Sequence, residues 1–162
     1  MITSQDIFGN YTKILVENKR LEEAARNELR YAAFVNSLSS FNSSRSLCRA
    51  YLQAIVLHLV AGNGQEALAT WNDCFEVEGF MSSKSASYAQ DLLDMCRAGD
   101  YKAFLDCVQN SGVLYDLDNT IARLLKKMKE ETFDKTANGV GIDRNDISQF
   151  QAQGEEDEDD LC

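Results

Sequence analysis

The sequence contains no proline and only one histidine among its 162 residues. Average usage of ~5% would give about eight prolines in a chain of this length. Proline interrupts the hydrogen-bond ladder of a helix, so its absence favours long helices joined by glycine, asparagine and serine turns. The single histidine, His58, has no second histidine, cysteine or carboxylate at metal-ligand spacing. We expect it to be a packed or groove-lining side chain rather than a metal ligand or general base.

Paired cysteines are also missing. The chain has an odd number of cysteines and no Cys-x-x-Cys pair, which excludes both a disulfide framework and a zinc site of the usual spacing. We predict buried free thiols and no metal or other cofactor. The cysteines are Cys48, Cys74, Cys96, Cys107 and Cys162.

Long apolar runs are absent as well. The longest, Ala54–Ala61, is interrupted by His58 and falls far short of the ~20 residues that a membrane span needs. The first six residues lack the basic region and apolar core of a signal peptide. The sequence therefore predicts a cytoplasmic protein.

Positive charge is scarce, with a formal net charge of −10. Residues 133–162 hold nine acids against two bases, and residues 50–132 hold twelve acids against seven bases. Residues 1–49 reverse the balance, with seven bases and five acids. This distribution disfavours direct nucleic-acid binding, which needs a concentrated basic face. It suits a body that meets an acidic partner at one end and a basic partner at the other.

Apolar residues recur at three- and four-residue steps, and no segment alternates with period two. The pattern predicts an all-α fold with about seven antiparallel helices between residues 4 and 132. The expected spans are 4–18, 21–38, 44–61, 65–77, 85–98, 101–109 and 117–128. The residues expected to be buried are Leu29, Leu52, Ile55, Leu59, Leu68, Trp71, Leu92, Leu105, Ile121, Leu124 and Leu125.

Three connections between these helices are similar. Each is a polar turn followed within a few residues by a small alanine, and they begin at Asn18, Asn63 and Gly99. Small residues at this position let two helices pack closely, as in tetratricopeptide-like hairpins that stack into a short curved solenoid. Any antiparallel helical bundle shares the first half of the pattern.

The composition changes at Phe133. Residues 136–141 are turn-rich, residues 151–154 are polar, and Glu155–Asp160 is an unbroken run of six acids. Adjacent carboxylates repel one another and bury no apolar surface. We therefore predict a helical domain over 1–132 and a disordered acidic tail over 133–162.

The segment Val113–Thr120 resembles the nucleophile motif of haloacid-dehalogenase-type phosphotransferases. In those enzymes the first aspartate of the motif attacks phosphorus and the second handles the leaving-group proton. The corresponding residues of this sequence are Asp116 and Asp118. The motif needs a buried strand before it and a long α/β domain after it, whereas only 42 residues follow Thr120. We favour a structural role in which Asp116 and Asp118 cap the last helix, and we predict that the protein is not an enzyme.

Arg45 and Arg49 lie four residues apart on one face of the third predicted helix. No acidic residue occurs between Tyr31 and Gln65, a stretch of 35 residues. The pair is either a solvated helix face or a contact patch for an acidic partner.

Several segments together resemble the C-terminal half of the soluble NSF attachment proteins (SNAPs), and most closely their gamma form. The resemblance is good over 45–132, weaker over 1–44, and specific at the terminus, where the acidic tail ends in Leu-Cys. Complete family members are longer, so the resemblance implies a fragment or short form without the N-terminal hairpins. The segments are 55–59, 74–80, 92–94, 114–118 and Leu161–Cys162.

The resemblance implies an adaptor. SNAPs lie along the helical bundle of a SNARE complex through a basic-leaning face and recruit the ATPase NSF through an acidic C-terminal end. NSF then disassembles the SNARE complex in vesicle fusion and intracellular protein transport. A peripheral location on endomembranes, reached through SNAREs, follows from this role. A generic tetratricopeptide-like scaffold for unrelated partners is the alternative.

The family's functional positions are carried over residue by residue. Leu161 is similar to the near-terminal leucine linked to NSF stimulation, and Asp159 and Asp160 precede it. Asp94 is similar to an acidic position that faces NSF.

Arg49 resembles a basic position on the SNARE-side helix of the family, and Arg45 adjoins it. The resemblance therefore implies that Arg49 contacts SNAREs, and the i, i+4 spacing in an acid-free stretch extends this prediction to Arg45. A generic scaffold would keep the helical fold but would have no use for a terminal leucine.

Overall fold

The computed structural model describes residues 2–38 and 43–141, and these ranges contain nine α-helices and no strand. The all-α prediction is confirmed. A short 3-10 turn, Cys74–Glu76, follows the fourth helix. The helices are α1 (Ser4–Glu17), α2 (Leu21–Ser37), α3 (Ser43–Val60), α4 (Gly64–Asp73), α5 (Lys84–Ala98), α6 (Tyr101–Asn110), α7 (Val113–Asp116), α8 (Asn119–Lys126) and α9 (Glu130–Gly141).

Polar side chains at the turns determine where helices begin. Thr3 and Asp6 form a reciprocal capping box at α1, with each side chain accepting the other's backbone N–H at 3.1 Å. Asn63 and Asp100 cap α4 and α6 with a single bond, each side chain accepting one backbone N–H. Gly99, with φ of +71°, ends α5 in the left-handed conformation that glycine adopts without strain. Short connections of this kind place successive helices as antiparallel hairpins.

Helix α3 lies at the centre of the domain. It packs against α2, α4, α5, α8 and α9, so neighbours surround most of its circumference. Its residues 54–57 and Leu59 are fully buried, which explains why the longest apolar run of the sequence falls here.

Most of the predicted core is confirmed. Eight of the eleven expected residues are buried. Leu29, Leu105 and Leu124 are half-buried, and the last two pack against the outside of the core.

The predicted start of the tail at Phe133 is wrong. Helix α9 continues to Gly141, and Phe133 is fully buried with its ring centroid 5.1 Å from that of Phe104 and 5.5 Å from that of Tyr101. The helical domain therefore extends at least nine residues further than expected. Residues 142–162, which include Asp159, Asp160 and Leu161, lie outside the described residues.

Helix α9 crosses the start of α4 at two glycines. A Cβ added to Gly64 would lie 2.0 Å from the Thr136 carbonyl oxygen, and one added to Gly139 would lie 2.9 Å from the Gln65 nitrogen. The Thr136 hydroxyl, itself fully buried, donates to the Leu59 carbonyl at 2.7 Å. The turn-rich composition of 136–141 thus supplies small residues for a close crossing. These contacts join helices that are distant in sequence, in addition to the contacts between neighbouring repeats of a solenoid.

The last predicted helix, 117–128, is shorter than expected, and a short helix that was not predicted precedes it. Residues 113–116 form the short α7, Leu117 is extended and buried, and α8 begins at Asn119. Asp118 caps α8 by accepting the Thr120 N–H at 3.0 Å, as predicted for one of the two aspartates. Asp116, the cap first expected, belongs to α7 instead. A helix therefore stands where the phosphotransferase motif requires a strand.

We predict that Gly64→Ala lowers the free energy of unfolding by about 1–3 kcal/mol, because the new methyl group overlaps the α9 backbone. Gly9→Ala is the matched control. Gly9 lies inside α1 with no atom within 4 Å of an added Cβ, so alanine there should raise the free energy of unfolding by about 0.5–1 kcal/mol. Urea denaturation measures both, and equal effects of the two changes would contradict the close crossing.

Candidate functional site

The predicted arginine pair lies at one corner of the domain, on the first two turns of α3. Arg45 is exposed and Arg49 is half-buried. Both line a surface depression of about 250 Å³, opposite Tyr115 and Asp116 of α7. The structure therefore brings the two predicted residues together at one site, which we call the arginine corner.

Arg49 also has a structural contact. Its Nε donates to the backbone carbonyl of Asp116 at 2.8 Å, which joins α3 to α7. Tyr115, the neighbour of Asp116, is 93% exposed. Arginine and tyrosine are both enriched at protein interfaces, so their exposure side by side is typical of a contact surface.

A buried polar network lies behind the arginine corner. Thr12 Oγ1 donates to Glu28 Oε1 at 2.8 Å, and Gln53 Nε2 donates to Glu28 Oε2 at 3.1 Å. Asn27 Nδ2 donates to Thr12 Oγ1 at 2.9 Å. The Gln53 Oε1 accepts the backbone N–H of Asp118 at 2.8 Å. The network joins α1, α2, α3 and the start of α8.

This network was not predicted from the sequence. The one available signal was that Glu28 falls between Ala24 and Ala32 at four-residue steps, on the buried stripe of α2. Burial raises the pKa of Glu28, while the hydrogen bonds from Thr12 and Gln53 and then the charge of Arg49 partly offset that rise.

We expect the free energy of unfolding of Glu28→Gln to rise relative to that of the parent as pH increases. Below the unfolded value of 4.5 the parent gains stability because the folded state holds the Glu28 proton more tightly. That gain is lost as pH rises through the raised pKa of the folded protein, whereas glutamine does not titrate. The unfolding free energy of the variant minus that of the parent should therefore increase across this window and then level off. A difference that stays flat or falls in urea titrations over the same pH range would contradict the burial of Glu28.

Asp94 lies elsewhere, on α5. It is exposed, with Asp91 one turn before it and Arg97 one turn after it, both exposed as well. Asp94 is not among the residues that line the arginine corner. Asp94 therefore lies outside the arginine corner.

His58 is buried, and so are Cys48, Cys74 and Cys96, whereas Cys107 is half-buried and Cys162 lies outside the described residues. His58 is 4% exposed, and its Nδ1 lies 2.9 Å from Glu22 Oε2. Burial raises the pKa values of Cys74 and Cys96 to about 12, so both remain protonated thiols at neutral pH. The four cysteines in the described ranges are free. Within residues 2–38 and 43–141 no three potential ligands are grouped to hold a metal ion.

Comparison with known proteins identifies a relative. The chain is 29% identical over 141 residues to the gamma-soluble NSF attachment protein of Arabidopsis thaliana. The resemblance to the soluble NSF attachment proteins is confirmed. The match covers 87% of this chain but 46% of the gamma-SNAP relative, so the chain spans less than half of that protein's length. No family model and no solved structure matches the chain.

None of the helices in the described ranges is both long enough and apolar enough to cross a membrane.

Proposed function

We propose that this chain is a SNAP-type adaptor that binds SNARE complexes and recruits and stimulates the ATPase NSF. The observation that carries the proposal is the 141-residue similarity to gamma-SNAP. The all-α fold of packed hairpins and the charge asymmetry of the chain support it. The protein acts by contact rather than by chemistry, and in cells it associates with membranes through SNAREs.

The arginine corner is the proposed SNARE-binding surface. It presents Arg45, Arg49 and the exposed ring of Tyr115 around one depression. The acid-free stretch from Tyr31 to Gln65 leaves this part of α3 without nearby negative charge in the sequence. A SNARE bundle with an acidic exterior fits such a surface. Because one exposed ion pair contributes ~0.2–1 kcal/mol, binding requires several contacts together.

Two acidic regions are proposed to face NSF. Asp94 and Asp91 are exposed on α5, and six acids precede Leu161 in the sequence. Negative charge raises the rate of encounter with a basic ATPase surface. Burying Leu161 in a pocket on the partner would contribute roughly 1.5–3 kcal/mol and supply the specific contact.

We expect the double variant Arg45→Glu, Arg49→Glu to weaken binding to a SNARE complex and to reduce the salt dependence of that binding. The matched control is Arg26→Glu, Arg30→Glu, which reverses two exposed charges on α2. Because Arg49 also bonds to α7, Arg45→Glu alone separates loss of charge from loss of structure. Unchanged SNARE affinity at low salt in both Arg45 variants would remove the arginine corner from the site.

We expect Leu161→Ala to reduce the stimulation of NSF ATP hydrolysis while leaving SNARE binding and helical content unchanged. The side chain supplies the apolar contact, whereas the acidic run that guides encounter is intact. Gln153→Ala, a truncation on the other side of the acidic run, is the control. Full stimulation by the Leu161 variant would show that the leucine has no role.

A further inference from the structure

A second depression, of about 650 Å³, lies on the domain where α8 and α9 meet the turn between α1 and α2. Its sides carry cations and its floor is apolar, and we call it the basic groove. The cations are Lys19, Arg123, Lys127 and Lys129, and the floor is Val16, Leu21, Val60, Leu124 and Met128.

The charges of the basic groove are unbalanced. Four cations line it against one acid, Glu17. All four cations are exposed, and none of them forms an ion pair with any residue in the described ranges. Other cations do have such partners, since Arg20 pairs with Glu23 and Lys13 lies 3.9 Å from Asp118. The groove therefore holds a positive potential that favours an anionic occupant.

The floor of the groove favours an apolar group in the same occupant. Leu21, Val60 and Leu124 are each half-buried, so part of every side chain is open to the groove. Leu124 was expected in the core, and the groove accounts for its exposure. A ligand that combines carboxylates with an aliphatic side chain would cover the floor and neutralise the rim.

The chain contains one segment of this composition outside the described residues. Glu155–Asp160 supplies six carboxylates, and Leu161 follows them directly. No large apolar residue lies between Phe150 and Leu161.

Chain length permits this segment to reach the groove. Helix α9 begins beside the groove, since Thr132 lines it, and it ends at Gly141. Its 12 residues span about 18 Å. The 13 residues from 142 to 154 that precede the acidic run can span at most about 43–47 Å. The distance back along α9 is well within that reach, and a linker of this kind gives a local concentration in the ~mM range.

We propose that the C-terminal segment Glu155–Leu161 docks into the basic groove of its own chain, with its carboxylates against the lysines and Arg123 and with Leu161 on the floor. We infer the docking from the charge and apolar lining of the groove and from the composition of the tail. Its consequence rests on the proposed function: a leucine held in the groove is withheld from NSF, so the contact is autoinhibitory. A partner that competes for the groove releases the tail.

A spin label on Cys162 tests the docking in the complete chain, without SNAREs or NSF. Cys107→Ser removes the half-buried cysteine, so that the label reports the terminus alone. At low ionic strength the label should broaden the NMR signals of the Leu124 and Met128 methyl groups. The broadening should be lost in Lys127→Glu, Lys129→Glu and in ~1 M salt, where the screening length is about 3 Å. It should persist in the control Lys84→Glu, Arg97→Glu, which changes the net charge equally on α5.

Three results would overturn the inference. The first is broadening that is absent at low ionic strength or centred on another surface. The second is an equal loss in the groove variant and the α5 variant. The third is broadening seen only when labelled and isotope-enriched molecules are mixed, which would show that a second copy supplies the tail. Because the measurement contains no NSF, its outcome is independent of whether the adaptor function holds.

Discussion

The enclosure of α3 by five other helices is the constraint on which the rest of the domain depends. Its middle is fully buried, while its two ends reach the surface. The arginine corner lies at its beginning, and Val60 at its end lines the basic groove. Since Arg45 and Arg49 precede Val60 by 15 and 11 residues, about 17–23 Å of helix separates the two sites. One buried element thus positions two surfaces that can hold different partners.

The crossing of α9 over α4 secures one end of α3. Gly64 and Gly139 allow backbone contact that any side chain would prevent, and Thr136 bonds to the Leu59 carbonyl of α3. This crossing also fixes where the described chain ends, about 18 Å along α9 from the basic groove in which we propose that the acidic segment docks. The packing of α9 and the proposed control of the tail therefore share a structural origin.

Local sequence patterns were sufficient for the all-α class and for most of the core, because apolar periodicity and capping residues act over a few positions. They failed at residues 133–141. The small residues there are typical of a turn in the sequence, but in the structure they form a helix that packs closely against α4. The placement of Arg45 and Arg49 on one face of α3 followed from their i, i+4 spacing. The Glu28 network did not, since Thr12 and Gln53 lie 16 and 25 residues away from it. The basic groove was missed because α1, α2, α3, α8 and α9 each contribute to it.

Capture of NSF on the immobilised chain, with and without a SNARE complex, tests the adaptor role most directly. We expect NSF to be retained when the chain and the SNARE complex are both present, and little to be retained when either is omitted. If the chain retains the SNARE complex but never NSF, or retains neither, it is a helical scaffold for other partners and the adaptor assignment is wrong.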